Sequence, residues 1–255
     1  MSEHKIYEVG SGELTYDEIE RILKEGKELR LSEAARKRIE HCRSYLDHKT
    51  DHDTEPIYGV TTGFGSLCSK HISRDELSTL QENLVKSHSC SVGTPVSPEI
   101  VKLMLLLKAH ALSMGFSGVQ VCTVERIIDM YNNNVLPVVR DRGSLGASGD
   151  LAPLANLFLP LIGEGDVWMD GEQVPARKAL EKYGWEPIKL QSKEGLALLN
   201  GTQFMSANGI KALIDGWHIV NCFDLFGAMS LEAFDGRIEP FLDCIPVSYT
   251  HLRAH

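Results

Sequence analysis

Gly143-Ser144-Leu145-Gly146-Ala147-Ser148-Gly149-Asp150-Leu151-Ala152-Pro153-Leu154-Ala155 sets three glycines and two serines directly before an apolar helical run. Its centre, residues 146–150, reads by itself as a tight turn with Asp150 placed to cap the helix that follows. The same letters fit another chemistry. Attack of the Gly149 nitrogen on the Ala147 carbonyl closes a five-membered ring. Loss of water from that ring, and of the Ser148 hydroxyl as a second water, leaves an exocyclic methylidene. Gly149 has no Cβ, so its nitrogen can reach a carbonyl through backbone angles closed to other residues. Ala147 crowds that approach little, Ser148 carries the β-oxygen that leaves, and Asp150 can serve the acid/base steps of closure. A helix starting here aims the positive end of its dipole at the ring and makes it more electrophilic.

Outward from this stretch, helix signals dominate. Thr15-Tyr16-Asp17-Glu18 has capping-box form before Ile19, Ile22 and Leu23, with Gly26 as a stop. Ser32 can cap a helix striped by Ile39, Cys42 and Leu46, and Ser73-Arg74-Asp75-Glu76 is a second capping box before Leu77, Leu80 and Leu84. Ser97 with Pro98 at the first helical position predicts an apolar helix ending near Gly115. The pattern predicts further helices over 117–134, after Asp150, and from about Gly201 to Phe226. Strand signals are weak: residues 166–174 form a small hairpin around Asp170-Gly171. The fold class expected is mainly α, a helical bundle interrupted by glycine-rich loops. Tyr58-Gly59-Val60-Thr61-Thr62-Gly63-Phe64-Gly65 is a second such loop, and loops on a rigid scaffold are where function usually sits.

Composition narrows the classes. The chain has 255 residues, 43% hydrophobic and 24% charged, with net charge −9. Its bases are scattered among acids, which excludes a nucleic-acid surface. The apolar stretches 101–112 and 151–162 are too short to span a bilayer and are interrupted by Lys, His, Asn or Pro, so no membrane partner is expected. The N-terminus opens no signal segment. Six cysteines form no C-x-x-C pair and match no zinc spacing, which predicts reduced thiols, a cytoplasmic protein and no metal. Asn200-Gly201-Thr202 fits the glycosylation sequon by chance in that setting. Common glycine-loop motifs fail by single letters: Gly63-Phe64-Gly65-Ser66-Leu67-Cys68 ends in Cys, no Gly-Lys-Ser/Thr exists, and Gly146-Ala147-Ser148-Gly149-Asp150 ends in Asp where a hydrolase elbow needs Gly.

Residues 143–155 resemble the signature of the aromatic amino acid ammonia-lyase family, and that resemblance overturns the plain-turn reading. Three more blocks match in the family's order: residues 58–65, Asn83-Leu84-Val85-Lys86-Ser87-His88, and Lys193-Glu194-Gly195-Leu196-Ala197-Leu198-Leu199-Asn200-Gly201-Thr202-Gln203. The likeness runs from about Leu14 to Ile245. It implies the helical N-terminal region of the fumarase/aspartase-like ammonia-lyase fold. It also implies methylidene-imidazolone formed autocatalytically from Ala147-Ser148-Gly149, with no metal and no diffusible cofactor. Elimination of ammonia from an α-amino acid needs a proton taken from a barely acidic β-carbon and departure of a poor leaving group. An electrophile that captures the amine or the aromatic ring helps both.

By the same resemblance Tyr58 is the catalytic base. A free tyrosine keeps its proton to a pH of about 10, so service near neutrality asks roughly 3–4 kcal/mol of anion stabilisation. Asn200 contacts the prosthetic group or the substrate, and Gly65 lets backbone approach the substrate. The Ser-His pair ending at His88 is typical of histidine-specific members, although a His there also meets the phenol in tyrosine-specific ones. His71 and His110 read as surface or structural residues. The implied reaction converts L-histidine to (E)-urocanate and ammonia. The alternatives are a tyrosine or phenylalanine ammonia-lyase, an aminomutase, or a catalytically silent relative.

Family members are considerably longer. Their second half supplies a helical bundle, a second active-site tyrosine, a carboxylate-binding arginine and a late glutamate, and it assembles a homotetramer. The organisation expected here is a prosthetic-group-bearing domain over 1–200, the start of the central bundle over 201–245, and a tail over 246–255 foreign to the fold, as from a truncated or mis-joined reading frame. Such a chain exposes apolar helix faces and is expected to aggregate or to be inactive by itself.

Overall fold

The computed structural model describes residues 5–52, 57, 59–62 and 74–242. Tyr58, Gly65, His71, Ser73 and residues 246–255 lie outside the described residues.

Two parallel strands, β1 (Ile6–Val9) and β2 (Glu28–Leu31), flank α1 (Tyr16–Glu25). Thr15 Oγ1 accepts the Glu18 N–H at 3.3 Å, and Gly26 ends the helix at φ +61, as the capping box and stop glycine require. Helix α2 (Glu33–His52) starts behind Ser32, whose hydroxyl accepts the Ala35 N–H at 3.2 Å. It buries Ile39 and Leu46, while Cys42 stays half-buried. Helix α3 (Arg74–His88) leads into β3 (Val92–Pro95).

Helix α4 (Pro98–Ser113) is the centre of the core. Ser97 Oγ accepts the Ile100 N–H, Pro98 opens the helix, and Leu103, Met104, Leu105 and Leu106 have no exposed surface. An apolar run wider than one stripe, as in Leu103–Leu106, belongs inside. Each such side chain contributes about 1.5–3 kcal/mol by burial.

The next helix, α5 (Val121–Asn132), begins four residues later than the pattern over 117–134 predicts. Gly118 takes φ +68 and Gln120 is extended. The Gln120 N–H, which would continue a helix, donates instead to Glu194 Oε1 at 2.8 Å. A long-range carboxylate outcompetes the local pattern here.

Short strands β4 (Leu136–Pro137) and β5 (Arg140–Arg142) follow, then α6 (Leu151–Phe158), which tightens into a 3₁₀ turn over Leu159–Ile162 where Pro160 cannot donate. The expected hairpin is present as β6 (Asp166–Met169) and β7 (Glu172–Pro175), turning through Asp170 at φ +55 and Gly171 at φ +85. Helices α7 (Ala176–Tyr183), α8 (Glu194–Leu199) and α9 (Gln203–Ala233) complete the order. The weak strand signals hid three pairings, β1 with β2, β3 with β5 and β4 with β6. Strands of two to four residues carry too little pattern to show their partners.

The chain divides into compact units Met1–Ile210 and Lys211–His255. In the first, α4 packs against α2, α5, β1 and β4. In the second, α9 runs past its predicted end near Phe226 and exposes Trp217, Phe223, Phe226 and Met229. No helix among the described residues is long and apolar enough to cross a membrane.

Candidate active site

Between β5 and α6 the chain doubles back on itself. Gly146 and Gly149 take φ +80 and +89, and the Gly149 N–H donates to the Gly146 carbonyl at 3.3 Å. Ala147 and Ser148 are exposed and Gly149 is half-buried. A Cβ on Gly149 would stand 2.4 Å from the Gly201 carbonyl oxygen, so this loop and the 200–202 turn meet backbone to backbone. The Asp150 N–H donates to that same oxygen at 2.8 Å.

Asp150 occupies the N-cap position of α6, but its carboxylate does not bond that helix. Its backbone, at φ −90 and ψ 53, lies outside the extended region from which a cap side chain reaches its own first turn. One carboxylate oxygen accepts the Ser144 hydroxyl at 2.8 Å, and the other accepts the Met205 N–H at 2.9 Å in the first turn of α9. Asp150 thus caps the wrong helix by sequence and the right one in space. A buried carboxylate at a helix N-terminus is favoured by the helix dipole, and here it locks the 144–150 loop to α9.

Asn200 ends α8, and three buried groups fix where it points. Glu194 is fully buried and accepts four hydrogen bonds: from the Gln120 N–H at 2.8 Å, Gln120 Nε2 at 2.6 Å, the Thr123 hydroxyl at 2.7 Å and the Gln191 N–H at 2.7 Å. Buried Gln81 of α3 accepts the Gly195 N–H at 2.9 Å. At the other end of α8, Lys108 of α4 donates from Nζ to the Asn200 carbonyl at 2.9 Å. The Asn200 side chain stays exposed and makes no hydrogen bond among the described residues. Lys108 is 2% exposed, and burial pulls its pKa from 10.5 down to about 7. Its Nζ also lies 5.9 Å from the centre of the Phe158 ring at the end of α6.

The Glu194 cluster yields a stability prediction. Glu194→Gln replaces an acceptor oxygen with a donor among four donors, so unfolding in urea at pH 7 is expected to show a loss of about 2–4 kcal/mol. A loss below about 0.5 kcal/mol would show that the cluster does not hold α8.

His88 sits half-buried at the end of α3. Its Nδ1 lies 2.8 Å from the Leu84 carbonyl and 3.1 Å from the Ser87 hydroxyl. A carbonyl only accepts, so Nδ1 carries the proton and Nε2 is left as the acceptor of the neutral ring. Strand β3 pairs with β5, joining the segment after His88 to the segment before Gly143; a Cβ on Gly143 would meet Ser91 Oγ at 2.8 Å. The described residues therefore bring Ala147, Ser148, Gly149 and Asn200 together and tie His88's segment to the same loop. Among them no group of three or more His, Cys, Asp or Glu is placed to hold a metal ion. The half-buried His110 has its pKa lowered by burial, and its Nδ1 has no partner among the described residues.

Sequence reasoning missed Lys108 and Glu194 as parts of this arrangement. The available signal was a lone lysine inside the apolar run 101–112 and an acid inside the matched block 193–203.

A mainly helical unit that presents an Ala-Ser-Gly loop against an Asn-Gly turn has the fold of the ammonia-lyases and aminomutases. It superposes on histidine ammonia-lyase from Trypanosoma cruzi with a TM-score of 0.86 at 34% identity, covering 98% of this chain and 48% of that one. It superposes on tyrosine aminomutase from Streptomyces globisporus with a TM-score of 0.85 at 32% identity, covering 92% of this chain and 44% of that one. The chain belongs to the aromatic amino acid lyase family, whose profile matches residues 14–253, past Ile245. A histidine ammonia-lyase from Caldanaerobacter subterraneus is 43% identical over 243 residues, 95% of this chain and 48% of its own length. The chain spans about half the length of the curated relatives it matches.

Proposed function

We propose that this chain is the prosthetic-group-bearing part of an enzyme that eliminates ammonia from L-histidine and releases (E)-urocanate. The observation that carries the reading is the 146–149 loop. Its Gly149 nitrogen is folded back to within 3.3 Å of the Gly146 carbonyl oxygen, and its Gly149 site has no room for a Cβ against Gly201. A loop doubled back on itself, with no room for a side chain at Gly149, supports an intraloop cyclisation. Gly149 N forms a bond to the Ala147 carbonyl carbon, the carbonyl oxygen leaves as water, and the Ser148 hydroxyl leaves as a second water with its α-proton. Asp150, held between Ser144 and the first turn of α9, fixes the loop for closure. The resulting methylidene-imidazolone supplies an electrophilic alkene that draws electrons from the substrate amine or ring.

The other residues act around it. Tyr58 takes the β-proton in this reading, and Gly65 gives the substrate room. The exposed Asn200 amide, one residue before the Gly201 backbone that meets Gly149, hydrogen-bonds the group or the substrate. His88 presents Nε2 as an acceptor for the N–H of an imidazole substrate. The same acceptor suits a phenol hydroxyl, and the likeness to a tyrosine aminomutase keeps tyrosine as a second reading. A homotetramer completed through α9 and a cytoplasmic location belong to this proposal; the exposed aromatic residues of α9 support the first.

The test is intact-mass measurement of the purified chain, with incubation of the full-length enzyme with L-histidine, L-tyrosine and L-phenylalanine. A mass short by two waters and urocanate as the main product are expected. An unmodified mass in soluble, folded protein sinks the prosthetic-group reading, and preferential turnover of tyrosine moves the substrate assignment.

A further inference from the structure

We propose that Lys108 is a positioning residue, which holds the Asn200–Gly201 peptide from inside the core and so sets how the 147–150 loop and the Asn200 side chain meet. The inference rests on the reading of Asn200 and of residues 147–149 given above.

Lys108 lies on α4 among side chains with no exposed surface, where a Met or Leu would pack without cost. An ammonium there loses its hydration shell. Among the described residues it forms no ion pair; its contacts are one hydrogen bond, to the Asn200 carbonyl at 2.9 Å, and the Phe158 ring at 5.9 Å. One hydrogen bond and one ring face do not offset burial of a charge, and the lowered pKa records that imbalance. A costly group that makes a single directed bond is explained by what the bond fixes.

The bonded peptide stands against the candidate prosthetic segment. Its carbonyl faces Lys108, and its nitrogen, that of Gly201, is 3.3 Å from where a Cβ on Gly149 would lie. The next carbonyl, that of Gly201, accepts the Asp150 N–H. Lys108 therefore anchors one side of a peptide whose other side borders Gly149. A donor on its carbonyl polarises the amide and makes the N–H beside Gly149 a stronger donor. Phe158, the second contact, ends the helix that starts directly after Gly149, so one side chain gauges both walls of the loop.

The test compares Lys108→Met, which keeps the stem and removes the donor, with Lys108→Arg, which keeps a charged donor, in the 255-residue chain. Amide hydrogen exchange is read at Asp150 and at Leu103–Leu106 of α4, together with intact mass. In Lys108→Met, exchange at Asp150, whose N–H donates to the Gly201 carbonyl, is expected to rise at least about tenfold while α4 keeps its protection, and the two-water mass deficit becomes partial or absent. Lys108→Arg is expected to retain more of both properties. Unchanged exchange at Asp150 in Lys108→Met overturns the proposal. So does an equal rise across α4, or failure to fold, either of which would make the lysine a support of the core. A wild-type chain with no mass deficit sinks the prosthetic-group reading, and the exchange comparison still decides the role of Lys108.

Discussion

Ser148→Ala is expected to leave the fold unchanged, restore the full unmodified mass and lower ammonia release by the full-length enzyme more than about a thousandfold, roughly 4 kcal/mol of barrier. The Ser148 side chain is exposed and bonds no described residue, so its removal falls within the small range usual for surface substitutions. Its whole effect is chemical, because alanine can close no methylidene: the β-oxygen that must leave is gone. Gly149→Ala makes the contrast. There a Cβ meets the Gly201 oxygen at 2.4 Å on a backbone at φ +89, so the loop must move away from the 200–202 turn. That variant is expected to lose both the mass deficit and about 2–4 kcal/mol of stability. Mass spectrometry and urea unfolding on the pair separate the two effects. Retention of full activity by Ser148→Ala would remove the electrophile from the account.

What could be read from the letters divides by range of interaction. Caps are local: Thr15, Ser32 and Ser97 bond donors three residues on, and each helix start was visible. The Asp170-Gly171 hairpin was visible for the same reason, since its turn needs positive φ at both positions. The start of α5 was not visible, because it is decided by Glu194, which reaches Gln120 and Thr123 from more than seventy residues away. Asp150 shows the limit most clearly. A capping residue before a helix was legible, yet the helix it caps is α9, 55 residues downstream. At the site, the Ala-Ser-Gly segment and Asn200 could be picked out as candidates, by their chemistry and by resemblance to the family. The buried support behind them was not, because a lysine in an apolar helix announces a problem without naming the carbonyl that answers it.

That lysine also sets a pH dependence of folding. Its folded pKa of about 7 lies below the 10.5 of the free side chain, so between those values the unfolded chain holds a proton that the folded chain lacks. Stability contributed by this group therefore rises with pH from about 7 to 10.5, and below pH 7 both states are protonated and the penalty is complete, on the order of 4–5 kcal/mol. Lys108→Met removes the penalty and leaves the Asn200 carbonyl unsatisfied, which costs about 1–3 kcal/mol. Urea unfolding at pH 6 is expected to find the variant more stable than wild type by roughly 2–3 kcal/mol. By pH 9.5 the advantage is expected to vanish or reverse, because the wild type gains about 1.4 kcal/mol per pH unit in between. The difference between the two proteins isolates Lys108, since the other ionising groups are common to both. A difference that stays flat from pH 6 to 9.5 would mean that the ammonium is solvated or paired in the folded chain. A variant that is firmer in the core yet looser at Asp150 would show folding stability given up to hold one peptide beside Gly149.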